Sequence, residues 1–166
     1  MDVLICDIKS PNAIIAPKID RDNTIVISDN GKIRPCIGCF GCWIKTPAEC
    51  VINDGYNNMG ELISKCDKVI IASRCYYGGY SPFIHNVLDR SISYISPYFE
   101  VKNGEMHHKQ RYDNHIILAA HLYGKTSEQE RETARKLVSA NGVNLFARQT
   151  EIYFYDEIQD LLEALQ

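Results

Sequence analysis

Residues 69–88 have the sequence VIIASRCYYGGYSPFIHNVL, in which a short apolar run leads through a glycine-containing loop into an amphipathic segment. The run at 69–72 shows no alternation of apolar and polar residues, which is typical of a strand buried on both faces of a parallel sheet. Ser81 and Pro82 suit the N-cap and the first position of a helix, and the apolar residues that follow have helical spacing. The stretch therefore predicts a strand, a loop at its carboxyl end, and a helix.

Strands and helices alternate along the rest of the chain as well. Apolar runs at 3–6 and 116–120 predict two more buried strands, and residues 24–28 and 150–155 predict peripheral strands. Helical patterns lie around residues 59–66, at 127–141 (with a Ser127–Glu130 capping box and an Asn141–Gly142 end), and at 158–165. This alternation indicates a doubly wound α/β fold with a five-stranded parallel sheet, in a single domain spanning residues 1–166.

Two connections differ from the simple pattern. Residues 8–23 join the first two strands but contain Pro11 and Pro17, so the first crossover helix is expected to be shortened or absent. Residues 96–113 form a long connection with an Asn103–Gly104 turn signal, which predicts a small hairpin or a lid. In a doubly wound sheet, ligands bind beyond the carboxyl ends of the strands, which directs attention to the loops after the first, third and fourth strands.

Composition and charge exclude several functional classes. The 166 residues include 18 Lys and Arg and 21 Asp and Glu, for a net charge of −3. A protein that holds nucleic acid through phosphate contacts would be expected to carry a basic face, so no nucleic acid partner is predicted. No apolar run approaches the roughly 20 residues of a membrane span, and the N-terminal residues lack a basic region with a cleavage site. We expect a cytoplasmic protein with no membrane contact.

Cysteine is distributed unevenly. Four of the seven cysteines, Cys36, Cys39, Cys42 and Cys50, fall within fifteen residues in a C-x2-C-x2-C-x7-C pattern. Such spacing lets thiolates converge on an iron–sulfur cluster or a tetrahedral zinc ion, and the third alternative is a loop of metal-free thiols. The odd number of cysteines argues against a disulfide framework, and Cys6 and Cys66 are expected to be buried core thiols. The five histidines show no metal-ligand spacing.

Taken together, these motifs resemble a known family. Pro35 to Cys39, Cys42–Trp43 and Cys50, followed by Ser73, the Tyr76 to Gly79 loop, Ser81–Pro82 and Asp89–Arg90, look like the flavodoxin-like NAD(P)H-dependent FMN reductases, and in particular their iron–sulfur flavoprotein branch. The match in order and spacing covers about residues 24–95.

The resemblance implies a sheet of strand order 2-1-3-4-5 with FMN at the point where the strand order reverses. The implied FMN-binding residues are Ser10, Asn12, Ser73, Arg74, Cys75, Tyr76, Tyr77, Gly78, Gly79, Tyr123 and Gly124. Cys36, Cys39, Cys42 and Cys50 would ligate a [4Fe–4S] cluster that exchanges electrons with the flavin, at a loop facing the flavin edge. No side chain is implied as a catalytic acid or base. The implied partners are a nicotinamide cofactor or a redox partner protein, and the chain would form a homodimer or a higher homo-oligomer.

Departures from the family pattern leave two other functions open. The phosphate-binding stretch of the family has the pattern Gly-Ser-Pro-Arg followed by a turn rich in Ser, Thr and Asn, whereas Asp7 to Asn12 retains only Ser10 and Pro11 of it. Arg74 stands where the family has proline. The principal alternative is therefore a non-enzymatic flavodoxin-like protein with a degenerate phosphate loop, acting in metal binding or partner interaction. The other alternative is an electron carrier without a substrate site of its own.

Overall fold

A five-stranded parallel sheet forms the centre of the computed structural model, which describes residues 1–8 and 22–165. Its strands are β1 (Asp2–Cys6), β2 (Thr24–Ser28), β3 (Lys68–Arg74), β6 (Ile117–Tyr123) and β7 (Gln149–Tyr155), and β4 (Ile95–Lys102) and β5 (Glu105–Gln110) form a separate antiparallel pair. The helices are α1 (Gly41–Ile44), α2 (Met59–Ser64), α3 (Pro82–Arg90), α4 (Glu128–Asn144) and α5 (Ile158–Ala164), with a short 3₁₀ helix at Ser91–Tyr94.

The order of the strands in the sheet is β2-β1-β3-β6-β7. When the β4–β5 pair is left out of the numbering, this is the predicted order 2-1-3-4-5, so the predicted fold is confirmed. β1, β3 and β6 occupy the centre, which explains their unbroken apolar runs, because both faces of a central strand are covered. The prediction that the first crossover helix is shortened or absent concerns residues 8–23, most of which lie outside the described residues.

The β4–β5 pair confirms the predicted hairpin. Its turn is at Asn103 and Gly104, both with positive φ, and Phe99 pairs with His108. The hairpin rests on Trp43, whose indole Nε1–H donates to the carbonyls of Ile92 and Ile95 at 3.3 and 3.1 Å. This connection therefore places the hairpin beside the cysteine-rich loop.

The start of α4 agrees with the prediction, whereas its end does not. The Ser127 hydroxyl accepts from the backbone N–H of Glu130, whose carboxylate accepts from the backbone N–H of Ser127, so the capping box is confirmed. The predicted stop at Asn141–Gly142 is wrong, because the helix continues to Asn144. Gly142 lets the helix pack closely on β7 instead, since a Cβ at this position would collide with the Thr150 hydroxyl.

Two apolar clusters cover the two faces of the sheet. The larger one joins the strands to α2, α3 and α4 through buried residues such as Ile63, Ile84 and Val138. The smaller one lies under α5 and includes Leu4, Ala72 and Leu161. In the described part of the chain, no helix has both the length and the apolarity that a membrane crossing requires.

Candidate functional site

The carboxyl ends of β1, β3 and β6 are joined by one carboxylate. Asp7 follows β1 directly, and its side chain accepts from the Arg74 backbone N–H at 2.9 Å, the Ser73 hydroxyl at 3.3 Å and the Tyr123 hydroxyl at 3.2 Å. Burial, and next the nearby Asp7 charge, raise the pKa of the Tyr123 hydroxyl. The point where strand order reverses therefore contains a carboxylate that accepts hydrogen bonds from residues of β3 and β6.

The loop after β3 is a tight turn that exposes aromatic rings. Tyr76 and Gly79 exchange two backbone hydrogen bonds, of 2.9 and 2.8 Å, around Tyr77 and Gly78, which both have positive φ. Tyr77 is 89% exposed. A Cβ at Gly78 would lie 2.6 Å from the Glu130 carbonyl, so glycine lets the turn rest directly on the first turns of α4. The turn thus holds two tyrosines at the carboxyl edge of the sheet.

Most of the predicted FMN-binding residues lie together at this edge. The Cys75 N–H donates to the Tyr123 carbonyl at 2.8 Å, which brings the loop after β3 against the loop after β6. Ser73 is fully buried, and its hydroxyl accepts from the Ser81 N–H at 2.9 Å, so it anchors the start of α3. Ser10 and Asn12 lie outside the described residues.

The four clustered cysteines line one small cavity. Cys36, Cys39, Cys42 and Cys50 surround it together with Arg90 and Ile92, and the space enclosed is about 40 Å³. The chain turns there through left-handed backbone at Gly38 and Phe40, and the Gly41 N–H donates to the Cys39 sulfur at 3.4 Å. The tertiary structure thus gathers thiols from two segments, 36–42 and 50, at one place.

The environments of these thiols differ. Cys36 and Cys39 are exposed, Cys50 is half-buried and Cys42 is buried. Burial, and next the neighbouring Cys50, raise the pKa of the Cys42 thiol. Four thiols of this kind suit the donor chemistry of an iron–sulfur cluster. Within residues 1–8 and 22–165, no three His, Cys, Asp or Glu side chains are arranged as ligands of a single metal ion.

A buried arginine closes one side of the cysteine cavity. Arg90 is 1% exposed, and its guanidinium contacts the Cys50 sulfur and forms an ion pair with Asp54. The Arg90 guanidinium lowers the pKa of the Asp54 carboxyl to about 2. Sequence reasoning assigned no role to Arg90 and missed Asp54. The sequence does contain a pattern that could have indicated Arg90. It continues the helical spacing of Phe83 and Val87, which places a cation on the buried face of α3.

The cysteine cavity and the tyrosine turn lie at opposite ends of α3. The turn precedes Pro82, whereas the cavity contacts Arg90, eight residues later. A nine-residue helix is about 13 Å long. Residues 36–50 therefore pack on the end of α3 and not on its beginning, and the expectation that the cysteine loop faces the flavin edge stays a prediction.

A larger open cavity adjoins the cysteine cavity. Its volume is about 560 Å³, within the range of small-molecule sites. Its lining includes Cys36, Gly38, Leu88, Asp89, His108 and Asn141. Cys36 and Gly38 belong to both cavities, so a small molecule in the larger cavity would reach the Cys36 thiol.

Cys6, Cys66 and two of the histidines have structural surroundings. Cys6 and Cys66 are buried, and burial raises the pKa of each thiol to about 12, which confirms them as core thiols. The His108 ring packs against Trp43 and Phe99. His121 pairs with the Tyr155 hydroxyl at 2.8 Å on the opposite face of the sheet from α3.

Comparison with known proteins supports the resemblance. No family model matches this chain. An iron–sulfur flavoprotein of Methanosarcina thermophila is 31% identical to it over 81 residues, which are 49% of this chain and 41% of that protein. The chain thus spans less than half the length of this relative.

Solved structures share the fold along nearly the whole chain. An NADPH-quinone reductase from P. pentosaceus has a TM-score of 0.60 at 10% identity, with 99% of this chain and 94% of that chain covered. An FMN-dependent NADH-azoreductase from Bacillus anthracis in complex with FMN has a TM-score of 0.56 at 8% identity, with 99% and 93% covered. At these identities the likeness concerns the fold. The chain therefore has the flavodoxin-like fold of these reductases and resembles an iron–sulfur flavoprotein over about half of its residues.

Proposed function

We propose that this chain is a flavin-dependent oxidoreductase or electron-transfer protein, similar to the NAD(P)H-dependent FMN reductases, with a second redox site at its four clustered cysteines. The observation that carries the proposal is the arrangement of these cysteines, which come from two segments and line one cavity within a flavodoxin-like fold. The named relative, an iron–sulfur flavoprotein, supports the same combination.

FMN would bind at the carboxyl edge of β1, β3 and β6. Tyr76 and Tyr77 offer exposed rings for stacking, and the resemblance assigns Gly78, Gly79 and Gly124 to the same site. The resemblance assigns the phosphate to Ser10 and Asn12. Bound FMN supplies hydride acceptance from a nicotinamide and one-electron transfer. The protein positions it, and no acid or base of this chain is required.

Cys36, Cys39, Cys42 and Cys50 would hold a [4Fe–4S] cluster. The cluster supplies one-electron relay between the flavin and a partner, with four thiolates as its ligands. Cys42 and Cys50 are held by α1 and by Arg90, whereas Cys36 and Cys39 lie on the exposed part of the loop. The exposed pair would therefore face the redox partner.

One observation favours the non-enzymatic alternative. Asp7 takes up the Arg74 N–H, the Ser73 hydroxyl and the Tyr123 hydroxyl, which are groups that could otherwise bind a flavin. Its negative charge also lies at the strand edge where a phosphate would approach, and like charges repel. A degenerate flavin site with a retained cysteine site agrees with this arrangement.

The visible spectrum of protein purified without air tests the proposed function. Flavin bands, and a broad brown absorption that dithionite bleaches, are expected. Added FMN should be taken up stoichiometrically if the purified protein has lost it. A colourless protein that takes up neither FMN nor iron and sulfide would contradict the proposal and favour the alternative.

Replacement of one cysteine separates the two redox sites. Cys39→Ser should lose the iron and the brown absorption and retain the flavin bands, because only the cluster needs this thiolate. Cys66→Ala is the matched control, since Cys66 is buried in the core away from the cavity. It should retain iron, sulfide and flavin. Equal iron content in Cys39→Ser and the unsubstituted protein would count against ligation by Cys39.

The expected homodimer or higher homo-oligomer is part of the same proposal. Light scattering gives the mass of the assembly directly, and a value at or above twice 18.9 kDa is expected. A mass of one chain at all concentrations would contradict it.

A further inference from the structure

Arg90 is the one charged residue that lines the cysteine cavity in the described part of the chain, and it contacts a single thiol. We propose that Arg90 is a positioning residue for the cysteine site, which holds the Cys50 sulfur through a hydrogen bond and thereby raises the reduction potential of the group bound there. The inference rests on the proposed redox role of the four cysteines.

The geometry of Arg90 leaves little freedom for its guanidinium. Nη1 donates to the Arg34 carbonyl and to Asp54 Oδ2, both at 2.8 Å, and Nη2 donates to the Ile52 carbonyl at 2.8 Å and to Asp54 Oδ1 at 3.0 Å. These four bonds fix the plane of the group. The fifth donor, Nε–H, then meets the Cys50 sulfur at 3.0 Å. A lysine ammonium has no such planar fork and could not make this set of bonds.

The charge of Arg90 is balanced by its partner. Asp54 is ionised at neutral pH because the guanidinium holds the pKa of its carboxyl at about 2. The ion pair as a whole is therefore neutral, and it affects the cysteine site mainly through the N–H···S hydrogen bond. Hydrogen bonds to the sulfurs and the local net charge are among the factors that set the reduction potential of an iron–sulfur cluster.

A purely structural role makes a different prediction. Arg90 joins residues 34, 50, 52 and 54 to the end of α3, so it could serve only to hold the loop. In that case, any substitution that breaks the Arg90–Asp54 pair should lower stability and disturb the cysteine site in the same manner. Arg90 and Asp54 carry opposite charges, however, so their substitutions change the net charge beside the cysteine site in opposite directions. This distinguishes an effect on the reduction potential from a purely structural role.

The test measures the midpoint potential of the cluster-loaded protein in three forms. Arg90→Gln removes the hydrogen bond and leaves the Asp54 charge unbalanced, so the midpoint should become more negative than in the unsubstituted protein. Asp54→Asn keeps the Arg90 side chain and leaves its positive charge unbalanced, so the midpoint should become more positive. Both variants should unfold at lower denaturant concentrations, since each breaks the same buried pair. Opposite shifts support the proposal, whereas no shift, or shifts in one direction, would overturn it.

Two further measurements keep the test decisive. If Arg90→Gln does not fold, Arg90→Lys decides, because it keeps a positive charge and loses the Nε–H···S hydrogen bond, and an unchanged midpoint in this variant contradicts the proposal. In the cofactor-free protein, a double-mutant cycle of Arg90→Gln and Cys50→Ala on unfolding stability should be non-additive. Additive losses of unfolding stability would show that Arg90 and Cys50 do not interact and would overturn the proposal. If the unsubstituted protein assembles no cluster while the cycle is non-additive, the proposed function fails and the Arg90–Cys50 contact stands.

Discussion

His121 shows how burial changes the chemistry of a single side chain. It lies on β6 with its ring stacked on Tyr153 at 4.7 Å between centroids, and its Nδ1 pairs with the Tyr155 hydroxyl at 2.8 Å. Burial, and next the nearby positive charge of Lys68, lower the pKa of His121 to about 4. The ring is therefore neutral in the folded protein at a pH where an exposed histidine is already protonated.

Acid should weaken the fold through this histidine. Because its pKa is depressed in the folded state, its contribution is complete above the unfolded pKa of 6.5 and is lost as the pH falls toward 4. Between pH 7 and pH 5 the free energy of unfolding should decrease by on the order of 2 kcal/mol from this residue. Urea unfolding at several pH values checks this. His121→Gln should flatten the slope in this window, whereas His85→Gln, at an exposed position, should not. An unchanged slope in His121→Gln would contradict the assignment.

Some local elements of the chain can be predicted from their own residues, and others cannot. The Ser127 capping box and the Asn103–Gly104 turn depend on residues at most three apart, and sequence reasoning identified both. The end of α4 was missed because Gly142 is a stop signal by composition but a packing residue against Thr150 in the structure. Elements whose signals are local were thus predictable, and those decided by a neighbouring strand were not.

The tyrosine turn gives a test at this scale. Gly78 and Gly104 both have positive φ, of 81° and 84°, but a Cβ at Gly78 meets the backbone of α4, whereas a Cβ at Gly104 meets open space. Gly104→Ala should therefore lower the free energy of unfolding only by the cost of placing alanine in left-handed backbone, about 1–2 kcal/mol. Gly78→Ala should lose more stability and also weaken FMN uptake, because the turn must move away from α4. Denaturant unfolding and FMN titration of both variants measure this. Equal effects would show that the contact with α4 is unimportant.

At the scale of the whole molecule, the Arg90–Asp54 pair joins parts of the chain that are distant in sequence. It connects the end of α3 to residues 34 and 50–54 in the cysteine-rich loop. Both partners are almost completely buried, with side-chain exposures of 0% and 6%. Removal of one partner of such a pair leaves an uncompensated buried charge, which is strongly destabilising.

A second acid-sensitive step should result from this pair. Asp54 has a folded pKa of about 2 against an ordinary value of 3.8, so its contribution is present above pH 3.8 and is lost as the pH falls toward 2. The loss should be on the order of 2 kcal/mol. Asp54→Asn should be less stable than the unsubstituted protein at pH 7 and should lack this step. Unfolding followed from pH 5 to pH 2 measures both, and an unchanged acid step in the variant would assign it to other carboxyls.

The sequence by itself determined the alternation of strands and helices, the cysteine spacing and the loop after β3, and its resemblance to a known family implied the order of the strands in the sheet. Apolar periodicity, caps and turn residues act over a few positions, and the rules for parallel sheets then leave few topologies. Only the tertiary structure decided that the cysteines meet at the far end of α3, that Asp7 takes the free donors at the strand edge, and that Arg90 contacts Cys50. These contacts join residues 40 to 116 positions apart, so they depend on how the elements pack and not on any local pattern.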